Sequence, residues 1–193
     1  MVAHPERMPM SVEEYLELDQ RSSDVRYEYC NGYAYLMSGG SPQHALIIGN
    51  VQGELARQFR LSHVACRAYP ADATVFLTRD IYVHPDVVVT CDQSDLVSTD
   101  SLHFPRLVVE VLSPGTERRD RSQKFDWYRG CPSIQEIVLI RTMHPLVEVY
   151  RRRATDNQWL LQIYGPGEEV ELASLNLSIP MDVIYEEVTF SDK

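Results

Sequence analysis

A chain of 193 residues, 44% hydrophobic and 24% charged, is long enough for a substantial core and has the composition of a soluble globular protein. Its net charge of −10 at pH 7 argues against a surface coated with basic residues for nucleic acid. No segment approaches the about 20 apolar residues that cross a bilayer, and the N-terminus lacks a signal-peptide core, so we expect a cytoplasmic protein without membrane contact. The cysteines are widely spaced, and we expect free, mostly buried thiols rather than a disulfide framework or a zinc site at Cys30, Cys66, Cys91 and Cys131.

Turn and helix signals divide the first third of the chain. Residues 11–19 open with a serine followed three positions later by a glutamate, a capping-box pattern that predicts a short helix. An Asn-Gly pair lies between two alternating aromatic segments within 26–37 and predicts a hairpin, because both turn residues need a positive φ. The apolar spacing over 43–61 follows a helical period and predicts a second helix.

Predicted strands dominate the rest of the chain. We expect a helix over 117–129 and strands at 65–69, 72–77, 86–91, 106–112, 136–140, 146–150 and 158–164. The predicted fold class is α/β (α+β), a mixed β-sheet flanked by two principal helices with additional antiparallel strands. One domain over residues 1–193 accounts for this length.

Two of the predicted strands each carry one carboxylate in an apolar run. Glu110 lies inside LVVEVL, and Asp86 opens DVVV. An ionised carboxylate in a buried strand needs a cation, a metal or several donors. Two such strands could hold Mg²⁺ or Mn²⁺ through oxygen ligands and leave positions open for water and a substrate phosphate. Glu110 could equally pair with a nearby arginine.

The predicted helix after the Glu110 strand supplies a lysine. Asp120, Lys124 and Tyr128 recur every four residues and therefore share a helix face. The side chain of Lys124 could point back toward the end of the Glu110 strand. There it could stabilise the negative charge on a phosphate undergoing attack. The alternative is a surface pair between Asp120 and Lys124. Likewise, the arginines near 118–121 could meet a phosphate backbone or form a solvated helix face.

Five pieces of sequence together resemble a known family. RYEYCNGYAYLMSG is followed by SPQH, HPDVVV, LVVEVLSPGT and a D-x-x-x-K-x-x-x-Y-x-G segment. Over about residues 10–185, this succession resembles the Uma family of restriction endonucleases, within the PD-(D/E)xK nuclease-like superfamily. The resemblance implies a restriction-endonuclease-like core and a divalent-metal-dependent endonuclease that hydrolyses phosphodiester bonds in DNA.

The resemblance assigns the main roles residue by residue. Asp86 matches the PD acid and Glu110 the second acid, and the carbonyl of Val111 is a further metal ligand. Leu112 stands where the superfamily usually has lysine, and an apolar side chain cannot activate water. Lys124, in the D-x-x-x-K segment, looks like the relocated lysine that positions or activates the attacking water.

Supporting roles fall to residues that also have plainer explanations. Glu28, in the aromatic hairpin, would be a second metal ligand or a lysine partner, or else an exposed or core-edge strand residue. His44 would contact a phosphate or water from the start of a helix, or else face solvent. His84, beside the Pro-Asp pair, is expected to face solvent.

A second function from a different class stays open. The acidic composition and the missing in-line lysine are also compatible with a catalytically inactive nuclease-fold protein that acts as a binding or scaffold module. For an active enzyme, a homodimer would suit cleavage of both DNA strands.

Overall fold

The protein is described here by a computed structural model that covers residues 7–22, 25–37, 39–156 and 158–190. Its strands are β1 Arg7–Pro9, β2 Tyr27–Cys30, β3 Tyr33–Leu36, β4 Arg67–Pro70, β5 Val75–Thr78, β6 Ile81–Val83, β7 Val87–Thr90, β8 Pro105–Leu112, β9 Glu136–Arg141, β10 Val147–Arg152, β11 Trp159–Tyr164, β12 Glu169–Leu172 and β13 Leu177–Pro180. Its α-helices are α1 Val12–Arg21, α2 Pro42–Ser62, α3 Gln93–Leu96, α4 Glu117–Arg119, α5 Phe125–Gly130 and α6 Met181–Ile184. A π-helical turn, Asp120–Lys124, joins α4 to α5. Among the described helices, none has the length and apolar composition needed to cross a lipid bilayer.

The central sheet has six strands in the order β11-β10-β9-β8-β7-β4. Only β8 and β9 run parallel, and every other neighbouring pair is antiparallel. A parallel pair needs a crossover connection, and the segment from α4 to α5 provides it. A five-stranded sheet, β1-β3-β2-β6-β5, and a β12-β13 hairpin complete the fold. The predicted mixed sheet with helices and additional antiparallel strands is therefore confirmed.

Strand β8 is buried on both faces of the central sheet. Val109 and Val111 belong to the core cluster that contains the buried residues of α2, whereas Val108 and Leu112 belong to the cluster on the α5 side. Because side chains alternate along a strand, Glu110 points to the same side as Val108 and Leu112. The sheet thus directs the Glu110 carboxylate beneath the segment from α4 to α5.

The capping box and the hairpin turn predicted in the first third of the chain are present in the structure. Ser11 and Glu14 form the capping box at the start of α1. Asn31 and Gly32 form the turn between β2 and β3, with φ values of 46° and 87°. Ser41 caps α2 by accepting a hydrogen bond from the backbone of its first turn. These contacts fix the start of α1, the turn between β2 and β3 and the start of α2.

Two cysteines do not have the free thiols expected from their spacing. Cys66 and Cys91 form a disulfide, and their Cα atoms are 4.1 Å apart. They lie one position beyond the Arg67–Thr90 pair, at the adjoining ends of β4 and β7. The expectation was wrong for this pair because strand register, which sequence spacing does not reveal, brings them together. Cys30 and Cys131 are free and buried.

Candidate active site

The Glu110 carboxylate is almost fully buried, with 3% of the residue exposed. Its Oε1 lies 2.6 Å from the Nζ of Lys124 and also accepts a hydrogen bond from the Tyr128 hydroxyl. The partner of this carboxylate is therefore the lysine of the following helical segment. In the part of the chain that the structure describes, no arginine forms an ion pair with Glu110.

Lys124 lies at the end of the π-helical turn and reaches three carboxylates. Its Nζ is 2.6 Å from Glu110 Oε1, 3.0 Å from Glu28 Oε1 and 3.8 Å from Asp120 Oδ1. Burial alone would lower the pKa of Lys124, but the charges of these carboxylates outweigh burial and raise the pKa well above its usual range. The side chain is therefore a charged hydrogen-bond donor. A π-helical turn inside an α-helix is frequently found at functional sites.

Glu28 projects from β2 into the same cluster and is buried. Its Oε2 lies 2.8 Å from an Arg119 nitrogen, and its Oε1 contacts Lys124. The backbone N–H of His84 donates a further hydrogen bond to Oε1 at 3.3 Å. Burial would raise the pKa of Glu28, but Lys124 and Arg119 lower it below its usual value. Both oxygens of an ionised carboxylate are thus held by cationic side chains.

Asp86 precedes β7 and joins the site to β8 and α2. Its Oδ2 accepts a hydrogen bond of 2.7 Å from the Val111 N–H, and the Nε2 of His44 lies 3.3 Å from the same oxygen. Burial would lower the pKa of His44, but Asp86 and the Val111 backbone raise it. His44 is held in place by Ser41, whose side chain accepts a hydrogen bond from the His44 N–H. The imidazole faces the carboxylate rather than open solvent.

Negative charge exceeds positive charge around Glu110. Burial raises the pKa of Glu110 well above its usual range against the effect of Lys124, and the neighbouring acids contribute in the same direction. Burial also raises the pKa of Asp120, again opposed by Lys124. The charged side chains of the cluster are Glu28, Asp86, Glu110, Asp120, Lys124, Arg119 and His44.

The donor set of this cluster fits a hard divalent cation. Carboxylate and carbonyl oxygens are the ligands that Mg²⁺ and Mn²⁺ prefer, and added positive charge would offset the surplus of carboxylates. Ligands of this kind would come from the carboxylates of Asp86 and Glu110 and from the backbone carbonyl of Val111, the residues expected from the sequence to bind a metal. Across residues 7–22, 25–37, 39–156 and 158–190, no group of three or more His, Cys, Asp or Glu side chains is arranged to hold a metal.

The sequence-predicted site residues converge in space, and one expectation about a neighbouring residue is wrong. The structure brings together Glu28, His44, Asp86, Glu110, Val111 and Lys124. His84, expected to face solvent, is 1% exposed, and that expectation is wrong. Its Nδ1 lies 3.2 Å from the Ala71 carbonyl and its Nε2 lies 3.6 Å from Asp19 Oδ1, because α1 and the loop after β4 cover it.

Two contacts of the cluster were missed from the sequence. The spacing already placed Tyr128 on the Lys124 face, but its hydrogen bond to Glu110 was not anticipated. Nothing in the sequence singled out Arg119 from the other arginines of its helix. Arg121, one of those proposed to meet phosphate, instead forms two hydrogen bonds of 2.7 Å to Glu148.

Comparison with known proteins shows the family of this chain. The Uma2 family model, described as "Putative restriction endonuclease", matches residues 12–182. The chain belongs to the Uma2 family. Two relatives from Synechocystis sp. (strain ATCC 27184 / PCC 6803 / Kazusa) are similar to it along most of its length. "Uncharacterized protein slr1290" is 35% identical over 194 residues, covering 98% of this chain and 100% of the relative. "Uncharacterized protein sll1609" is 27% identical over 176 residues, covering 87% of this chain and 95% of the relative.

A solved structure shares the fold of this Uma2 protein. It is the crystal structure of a "putative nuclease belonging to DUF820" from Anabaena variabilis ATCC 29413, with a TM-score of 0.76 and 17% sequence identity. The match covers 94% of this chain and 100% of the other. The restriction-endonuclease-like fold expected from the sequence is confirmed by this likeness.

Proposed function

We propose that this Uma2 protein is a divalent-metal-dependent endonuclease that hydrolyses phosphodiester bonds in DNA. The observation that carries the proposal is the 2.6 Å contact between Lys124 Nζ and Glu110 Oε1 on a buried strand. Asp86 is tied to the same strand through the N–H of Val111, the residue after Glu110. The start of β7, strand β8 and the helical segment therefore bring two carboxylates and a lysine into the same region. Membership of the Uma2 family supports the same function.

In this proposal the carboxylates of Asp86 and Glu110 and the carbonyl of Val111 hold Mg²⁺ or Mn²⁺. A bound metal supplies Lewis-acid polarisation of the phosphoryl oxygen and eases deprotonation of water. Lys124 donates hydrogen bonds that orient the attacking water and stabilise the negative charge that develops on the phosphate. The surrounding carboxylates raise the pKa of Lys124 well above its usual range, so in this proposal Lys124 acts as a charged hydrogen-bond donor.

The remaining residues hold these groups in position. Glu28 and Asp120 flank the ammonium of Lys124, and Arg119 offsets the charge of Glu28. His44 fixes the direction of the Asp86 carboxylate through its Nε2. In this proposal, His44 and Glu28 support catalysis by orienting the residues that contact metal and water.

One observation favours the second candidate, a catalytically inactive binding or scaffold protein. Leu112 occupies the usual lysine position and is buried in the apolar cluster on the α5 side. Lys124 and Glu110 already compensate one another, so the cluster could serve only to hold the helical segment against the sheet. Such a protein would bind its partner equally well with or without Mg²⁺.

The two candidates differ in a plasmid-nicking assay. Purified protein is incubated with supercoiled plasmid, single-stranded DNA or RNA in Mg²⁺, Mn²⁺ or EDTA. We expect metal-dependent nicking that falls at least about a hundredfold in Glu110→Gln and Lys124→Met. The exposed residues Glu13 and Arg129 provide matched controls as Glu13→Gln and Arg129→Met. Nicking that survives in EDTA, or that is equal in all variants, contradicts the proposal.

Other expectations from the sequence stay predictions. These are one domain over residues 1–193 and a cytoplasmic location. DNA as the substrate is part of the proposal, and the RNA arm of the assay tests it. A homodimer is likewise a prediction.

A further inference from the structure

Strand β11 forms an edge of the central sheet and lacks the usual protection of edge strands. Within the described residues it pairs with β10 alone, over six consecutive residue pairs without a register shift. Natural edge strands are commonly protected by lysine, proline, inward charges or bulges, because an open edge can pair with another chain. The segment 158–164, QWLLQIY, contains no charged residue and no proline. Its large apolar side chains are half exposed: Leu160 51%, Leu161 48% and Ile163 54%.

The backbone pattern shows which groups of β11 point outward. Arg153 N–H donates to the Gln158 carbonyl at 2.7 Å, which identifies this pair as hydrogen-bonded. Hydrogen-bonded and non-hydrogen-bonded pairs alternate along an antiparallel ladder. Trp159, Leu161 and Ile163 therefore direct their N–H and C=O groups away from β10. These open groups are evenly spaced on either side of Leu161.

We propose that β11 is a homodimer interface, where a second copy of this chain adds its own β11 antiparallel about a two-fold axis at Leu161. In this register Leu161 faces Leu161 of the partner subunit, and Trp159 faces Ile163 of the partner subunit. About six hydrogen bonds then join the two strands, since each strand offers three N–H and three C=O groups. All the outward-pointing residues find a partner in one register.

Side-chain packing favours the same register. Directly opposite residues of an antiparallel pair share one face of the sheet, so Trp159, Leu161 and Ile163 of both copies form one apolar stripe. This stripe continues over β10, where Tyr150 packs against Phe125 with ring centroids 4.6 Å apart. The dimer would therefore extend an aromatic surface that each subunit already has.

Charge also favours a second copy in the antiparallel direction. Glu168 and Glu169 follow β11, whereas the residues before it include Arg153 and Asp156, which form an ion pair with each other. Antiparallel pairing places the acidic ends of the two strands at opposite ends of the interface, and parallel pairing would place them side by side. Two copies with a net charge of −10 repel each other elsewhere, and this uncharged edge is where they can approach.

The size of the interface sets the expected strength. Stable interfaces bury about 800 Å² per partner, from about 20–30 residues on each side. One strand with its flanking aromatic residues provides only part of this, so we expect a dimer that dissociates at micromolar concentration. Sedimentation velocity over a dilution series measures this equilibrium for the wild-type protein.

Charge reversal at the two-fold axis tests the register. Leu161→Lys and Leu161→Glu each place like charges opposite themselves, and we expect each variant alone to be monomeric. An equimolar mixture pairs opposite charges and should restore the dimer. Gln162→Lys is the matched control on the same strand, because residue 162 lies on the other face opposite Leu160 of the partner subunit, and it should remain dimeric. Circular dichroism checks that each variant is folded.

Three results would overturn the interface. They are a wild-type protein that stays monomeric at all concentrations, a dimer that persists in both single Leu161 variants, and a mixture that fails to associate. Capture of a different protein by the β11 edge in place of a second copy would also count against it. Because no cleavage is measured, the interface and the nuclease activity can fail independently.

Discussion

The Nε2 of His44 lies 3.3 Å from the Oδ2 of Asp86, and the same oxygen accepts the Val111 N–H at 2.7 Å. Helix α2, the start of β7 and strand β8 therefore meet at one carboxylate. The loop before α2 makes this contact possible. A Cβ added at Gly40 would overlap the Nδ1 of His44, whereas one added at Gly39 would meet nothing within 4 Å.

Gly40→Ala should disturb the site without replacing any of its charged residues. The added methyl pushes the His44 ring away from Asp86, so we expect metal-dependent nicking to fall by about tenfold to a hundredfold, as for other residues that orient metal ligands. His44→Ala should give a similar loss. Gly39→Ala is the control and should match wild type. If Gly40→Ala nicks plasmid as fast as Gly39→Ala, the position of His44 is unimportant for activity.

Removing either member of the Lys124–Glu110 pair should have opposite effects on stability. Lys124→Met removes the cation shared by three nearby carboxylates, of which Glu28 keeps Arg119, and should lower the free energy of unfolding by about 3–5 kcal/mol at neutral pH. Glu110→Gln removes a buried charge whose ionisation is opposed by burial and by the neighbouring acids, and should leave this free energy unchanged or raise it. Urea denaturation measures both.

The Glu110→Gln effect should depend on pH in a defined direction. The folded-state pKa of Glu110 is raised above 4.5, so the wild type loses stability as pH rises through that folded-state value. The advantage of Glu110→Gln should therefore be absent in acid and grow toward neutral pH. A Glu110→Gln protein as unstable as Lys124→Met at neutral pH would contradict this account.

Tyr128→Phe should weaken metal binding while preserving the core. The hydroxyl donates a hydrogen bond to Glu110 Oε1, and phenylalanine keeps the buried ring without that donor. We expect the affinity for Mn²⁺, measured by isothermal titration calorimetry, to fall by about tenfold to a hundredfold. Tyr150→Phe is a matched control, because its hydroxyl bonds Glu148 instead. Equal Mn²⁺ affinities in the two variants would rule out a positioning role for Tyr128.

Glu148→Gln should destabilise the protein at neutral pH but not in acid. Burial opposes ionisation of Glu148, but hydrogen bonds from Arg121 and Tyr150 outweigh it and lower the pKa below 4.5. This carboxylate therefore adds stability above about pH 4.5, and the contribution disappears as pH falls through its folded-state pKa. We expect a loss of about 1–3 kcal/mol at neutral pH. Exposed Glu13→Gln should change the unfolding free energy by less than about 0.5 kcal/mol. A Glu148→Gln deficit that is constant with pH would contradict the prediction.

The residues of the site could be predicted where burial makes a charge costly. Asp86 and Glu110 stand out because apolar strands surround each of them, and the four-residue spacing placed Lys124 and Tyr128 on one face. Both signals are local in the sequence. The main strands and the helix over Pro42–Ser62 follow from equally local patterns of hydrophobic residues.

What the sequence did not predict depends on contacts between distant segments. His84 is buried because α1 and the loop after β4 pack over it, and no neighbouring residue indicates that. The Cys66–Cys91 bond depends on the register of β4 against β7. The π-helical turn, Asp120–Lys124, lies in a segment whose sequence reads as an ordinary helix. In each case tertiary packing decides a detail that local spacing leaves open.

The lysine of this site comes from a helical segment and not from β8. The strand therefore does not have to provide both core packing and the lysine at position 112. On a strand, a one-residue shift in register moves every side chain of that strand to the opposite face. A helical residue can be re-aimed by one extra residue in a single turn, while the sheet stays where it is. Leu112 is thereby free to pack in the core beside Tyr128. Substitutions in β8 can therefore increase the stability of the fold without damaging the chemistry of the site. Substitutions in the helical segment can likewise alter the chemistry without damaging stability.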